Sequence, residues 1–282
     1  MSLFRISTDV NEDNGSGLTP EDAAVLRDAV FRLEHVSFAA RLSQALDKQI
    51  GRVGKLLPTE ISEVVDRATQ AAIKAALEAA LSTLGPRSTG ERRLLHKAVA
   101  TLSGAVGGAF GLASLPVELP FSTVIMLRAI AAIAQAEGED LAAPETAFAC
   151  LQVFALGTAR QNTQTLESGS GYFAVRSILA KSVTEAARFV VERGFAEEGA
   201  PVLLRLVSQI ATRFGVVVSQ KVAVQAIPLI GAAGGGAVNY AFIDHFQTIA
   251  LGHFAVRRLE RIYGAPVVRA EYDKLLAQAA EQ

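Results

Sequence analysis

Tryptophan is absent from these 282 residues, cysteine occurs once and methionine twice. With Cys150 alone, no intramolecular disulfide can form, which suits a reducing compartment. Basic runs are missing too: no stretch of lysine and arginine exceeds a pair, and the net charge is −1. A protein that grips a phosphate backbone needs a basic face, so nucleic acid is excluded as an expected partner. The amino terminus has no charged start, apolar core and small-residue cleavage site in the order a signal peptide requires. The expected location is therefore cytoplasmic, or peripheral at the inner face of a membrane. The four histidines include no pair at helical i, i+4 spacing, so neither a metal nor a cofactor is expected.

What the chain has in quantity is small apolar residue. Half of it is hydrophobic, mean hydropathy is +0.31, and there are 23 glycines. Apolar positions recur at three-to-four spacing almost throughout. This predicts an all-α protein: a single globular multi-helix domain of about nine or ten helices with glycine-rich central helices. Residues 1–17 end in the polar, glycine-bearing N-E-D-N-G-S-G and predict a disordered N-terminus. Residues 18–88 predict an amphipathic helical hairpin. Its first helix opens at Thr19-Pro20-Glu21-Asp22 and runs to about Ile50, and its second opens at Pro58-Thr59-Glu60 and stops at Gly85-Pro86. Residues 89–282 predict the core, packed around 98–136 and 222–255. The β-branched run 215–227 admits a strand, but its alternation is poor and helix is preferred.

Two uncharged runs, 98–117 and 222–243, are long enough to cross a bilayer. The first has seven Leu, Ile, Val or Phe residues against four glycines, three hydroxyl residues and a proline. Its return partner, 119–136, carries Arg128 near the middle. That arginine costs about 2.5–3.5 kcal/mol on insertion, which the apolar residues barely offset. Core helices are therefore expected, with Gly104, Gly108, Gly111, Gly231 and Gly235 allowing close packing. Peripheral membrane contact stays open, because the Arg92-Arg93 to Lys97 cluster suits anionic headgroups.

Candidate chemistry concentrates at Glu118, Arg128, Lys221, Asn239, Asp244, His245 and His253. The glycine cluster 231–236 lacks the lysine and hydroxyl of a phosphate-binding loop. His245 and His253, eight residues apart, lie about 80° and 12 Å apart on a helix and cannot share one ion. Asp244 is expected in a buried pair with Arg128 or Lys221. Glu118, beside two prolines at a helix entrance, serves the helix dipole or a cleft. Cys150 lies in an apolar helix and is expected in the core. Ser170 lacks the full nucleophile-elbow pattern, and Tyr172 with Arg176 is expected on an exposed face.

Several stretches resemble the EcsC-like family. They are L-P-V-E-L-P (115–120), M-L-R-A-I-A (126–131), L-Q-V-F-A-L-G (151–157), G-Y-F-A-V-R (171–176), R-F-G-V-V-V-S-Q-K (213–221), I-P-L-I-G-A-A-G-G-G-A-V-N (227–239) and H-F-A-V-R-R-L-E-R-I-Y-G (253–264). The resemblance covers roughly 90–275 and leaves out the first two helices. It implies a bacterial, membrane-linked setting, since the family is named for a protein encoded beside the two components of an ABC transporter linked to secretion. It implies no activity, cofactor or catalytic residue. The expected function is thus a non-enzymatic accessory factor whose partners are membrane lipid or an ABC transporter component. The alternative is an enzyme or hydrophobic-ligand binder with a cleft formed by Glu118, Arg128, Asp244, His245 and His253.

Overall fold

The computed structural model describes residues 17–35, 37–45, 59–84, 115–158, 170–193, 200–225 and 228–280. Among these, every regular element is helical. The helices are α1 (Pro20–Val30), α2 (Phe38–Ala45), α3 (Thr59–Leu84), α4 (Leu115–Ala136), α5 (Pro144–Leu156), α6 (Gly171–Arg193), α7 (Pro201–Gln225), α8 (Pro228–Tyr263) and α9 (Ala265–Ala280). The all-α expectation holds. The expected disorder of 1–17, apart from Gly17, and the glycine stripe at Gly104, Gly108 and Gly111 lie outside the described residues.

Local signals set most helix starts. The Thr19 side chain accepts from the Asp22 N–H, Pro20 occupies the first turn, and Glu21 and Asp22 face the positive end of the dipole. The single helix expected to about Ile50 does not form. After Val30 the chain widens into a π turn, Phe31–His35, and α2 restarts behind Ser37, whose hydroxyl accepts from the Ala40 N–H at 3.2 Å. The π turn lets consecutive residues, Leu33 and Glu34, both turn inward. The run 215–225 is helix, continuous with α7; its valines pack inward at Val217, Val218, Val222 and Val224. Pro120 sits within the first turns of α4.

The centre of the molecule is α5. Every residue from Thr146 to Leu156 is buried, the signature of a helix surrounded on all sides by protein. Around it Phe154, Phe214, Phe242 and Phe246 form an aromatic cluster with ring centroids 5.2–5.9 Å apart, mostly edge-on or tilted. α8, about 54 Å long at 1.5 Å per residue, is the spine against which α1, α2, α4 and α7 pack. α3 instead takes α4 and α7 as its main partners. Among the described residues the two N-terminal segments thus have separate main partners.

The glycines divide by use. Gly231 and Gly235 lie within continuous α8, so their amides belong to the helical ladder and not to a phosphate cradle. Gly236 faces open space. Close approach occurs at Gly252, where an added Cβ would stand 2.8 Å from Leu33 Cγ and 3.3 Å from the Ala29 carbonyl oxygen. Gly252→Ala is therefore expected to lower stability by about 1–3 kcal/mol, as α1 is pushed off α8. Gly236→Ala is expected to raise it by about 0.5–1 kcal/mol through helix propensity. Urea unfolding midpoints check both, and shifts of the same sign for the two variants would refute this division.

Candidate functional site

The seven sequence candidates do not converge on one site. Lys221, fully buried on α7, places its ammonium 3.0 Å from Glu118 Oε1 on α4 and 3.2 Å from Asn239 Oδ1 on α8, with the Phe242 ring 4.7 Å away. Three of the seven thus meet, and the cation has an anion, a dipole and a π face around it. Asp244 pairs with neither Arg128 nor Lys221. Its partner is Arg41 on α2, which also donates to Thr248 Oγ1 at 2.9 Å. Arg128 is exposed on the outer side of α4.

His245 is fully buried, with Nε2 3.0 Å from the Gly157 carbonyl oxygen. The carbonyl can only accept, so Nε2 carries the proton and donates. Burial, offset in part by that hydrogen bond and reinforced by Arg41, lowers its pKa to about 4. Cys150 is buried as expected, and burial first, then the Glu139 charge, pushes its thiol up to about 12. That thiol is inert at neutral pH.

His253 leads to a polar centre that sequence reasoning missed. Its Nδ1 lies 2.9 Å from the Tyr172 hydroxyl, which accepts from Arg176 Nη1 at 3.1 Å. Since arginine only donates, the phenol's own proton is directed to Nδ1, and the imidazole proton rests on Nε2. Arg176 grips Glu260 through two bonds of 2.8 and 3.0 Å. Tyr172 is fully buried, contrary to the exposed face expected for it with Arg176. Burial pushes its phenol well above the usual range, and burial joined by Arg176 and Arg257 holds His253 well below its own.

Tyr172 stacks on Tyr272 of α9, and there a second cluster begins. Glu34, buried in the π turn, accepts from the Ser170 and Tyr272 hydroxyls and from the Gly171 and Tyr172 N–H groups, the last three at 3.0, 3.2 and 3.1 Å. Ser170 is the cap of α6, accepting from the Phe173 N–H at 3.2 Å. A carboxylate thus closes the positive end of α6 from 136 residues away in sequence. Glu139, in the α4–α5 connection, similarly accepts from Arg257 at 2.8 and 2.9 Å and from Arg261. Burial would raise its pKa, but those two guanidiniums outweigh it and hold it low.

Chemically these arrangements are closed. Each ionised group in them faces a counter-charge or a set of donors, and both tyrosines keep their protons. A surface hollow of about 350 Å³ lies along α6, lined by Val183, Thr184, Ala187, Arg188, Val191 and Glu192 of that helix and by Glu145 of α5. None of the seven candidates lines it. Among the described residues, no group of three or more His, Cys, Asp or Glu is placed to hold a metal ion.

The stretches that build these centres, G-Y-F-A-V-R and H-F-A-V-R-R-L-E-R-I-Y-G, are also those that resemble EcsC-like proteins. The model of the EcsC protein family matches residues 26–259. The chain belongs to the EcsC family. No curated protein and no solved structure matches it. The match begins inside α1, so the EcsC region takes in the N-terminal helices that the sequence resemblance left out. Glu34, which closes α6, falls within it.

Proposed function

We propose that the protein is a non-enzymatic accessory factor, cytoplasmic and held peripherally at the inner face of the cell membrane, serving an ABC exporter or another envelope process. The observation that supports the membrane part is α4. It is long and apolar enough to cross a bilayer, yet only 33% of its most apolar stretch is buried inside the protein. α7 passes the same test of length and composition with 50% buried. A peripheral attachment fits better than a span, because α4 carries Arg128 at its middle and packs along α3 and α8. The transporter link rests on the family alone, and the non-enzymatic reading on the closed pairing of the polar side chains.

The test is fractionation of expressing cells. The expected result is recovery with membranes at low ionic strength and release by high salt and by carbonate. Resistance to both washes would replace the peripheral reading with an integral one. Full solubility at low ionic strength would remove the membrane from the proposal.

A further inference from the structure

Six residues line one side of α4, away from the side it packs into the core. Val117 and Ile125 are 54% and 46% exposed, Phe121 and Val124 are half-buried, and Arg128 and Ala132 are exposed. At 100° per residue these six fall within about 100° of the helix circumference, along about 22 Å. The opposite side, with Leu119, Met126, Leu127 and Ile130, is core. No carboxylate lies inside the stripe, and Glu118 at its edge is committed to Lys221. Arg128 sits near its centre and has no ionic partner among the described residues. α7 makes the contrast: between its exposed Leu204 and Val216 stand Arg205, Ser208 and Thr212, so its outer side is mixed.

We infer that this face of α4 docks on the surface of an anionic phospholipid bilayer. The helix lies in the interfacial plane with Val117, Phe121, Val124 and Ile125 at the headgroup–acyl boundary. The Arg128 guanidinium forks onto a lipid phosphate. This rests on the peripheral reading above and names its contact. Arg128 selects the occupant. A second copy paired about the middle of the stripe would set Arg128 against Arg128 in a desolvated contact, which like charges oppose. The chain's own 98–114 stretch has no carboxylate to offer it. A phospholipid provides both chemistries at the right levels, phosphate at the headgroup and hydrocarbon just beneath, and a long arginine side chain spans the two. The arginine also keeps the docking shallow.

Because the chain has no tryptophan, a single one reports on one place. The probes are Ile125→Trp on the stripe and Val191→Trp on exposed α6, with mixed phosphatidylcholine–phosphatidylglycerol vesicles. The Ile125→Trp emission is expected to shift to the blue and to be quenched by brominated acyl chains, while Val191→Trp does neither. Val117→Asp is expected to weaken vesicle binding about tenfold. An acid in that first helical turn favours the helix, so lost folding is not the cause. Arg128→Gln is expected to weaken it about fivefold and to flatten its salt dependence. If the wild-type protein binds vesicles while the Ile125→Trp spectrum is unmoved and Val117→Asp binds normally, the α4 inference falls and the peripheral reading stands. No wild-type binding to any vesicle removes both. A lipid-independent blue shift with a doubled sedimenting mass would assign the face to a second copy instead.

Discussion

Glu34→Ala is expected to cost about 3–5 kcal/mol, a large share of a typical domain's stability. The carboxylate accepts from four donors: the Ser170 hydroxyl, the Tyr272 hydroxyl and the first two amides of α6. Alanine leaves the set buried with nothing to accept from it, and removes the negative charge that faces the α6 dipole. Three elements part company as a result, because Glu34 belongs to the π turn after α1, Tyr272 to α9 and the amides to α6. Glu34→Gln keeps one acceptor oxygen but turns two donors toward donors, and is expected to lose roughly half as much. Urea unfolding gives the magnitude, and amide exchange at Gly171 and Tyr172 gives the location. A loss below about 1 kcal/mol, or exchange at those amides unchanged, would show that the cluster is incidental to α6.

The sequence made visible what is local. The Thr19 cap, the helical preference of 215–225 and the burial of Cys150 each depend on neighbours within two turns, and each is found. The break at Ser37 was readable in principle, since serine three residues before an amide is a capping signal. It was hidden by apolar positions that kept helical spacing through Val36 and Ala40. What was not legible is long-range. Arg41 with Asp244 and Glu34 with Ser170 join residues more than a hundred positions apart, and a single chain offers no spacing rule for such pairs. Tyr172 failed for a related reason. Beside Arg176 it looked like a polar face, but bidentate pairing with Glu260 neutralises the arginine and lets the tyrosine sink into the core. The glycines misled in the opposite direction: the densest cluster reaches open space at Gly236, while the isolated Gly252 sits at a helix crossing.

The protein is expected to lose stability in mild acid, and two buried histidines set that window. His245 and His253 are both fully buried and neutral, with pKa values depressed first by burial. His245 faces the Gly157 carbonyl, the Phe38 and Phe246 rings and the Arg41 cation. His253 faces Tyr172 and the cations Arg176 and Arg257. Among the described residues neither has a carboxylate to receive an imidazolium. A depressed folded pKa means that the unfolded chain binds more protons between the two values. The contribution is therefore complete above the unfolded pKa and is lost as pH falls through the folded one. For His245 that window runs from 6.5 down to about 4. At about pH 5 its share alone is about 2 kcal/mol, and His253 adds to it in the same direction. Glu139, held low by Arg257 and Arg261, contributes only further down, as pH falls below the usual carboxylate range. The measurement is the urea midpoint from neutral pH to about pH 5, for the wild type and for His245→Gln, whose amide can still donate to the Gly157 carbonyl. The wild-type midpoint should fall steadily and the variant's should fall less steeply. A flat wild-type profile, or a variant that declines in parallel with it, would mean that the buried imidazoles reach water before the fold gives way.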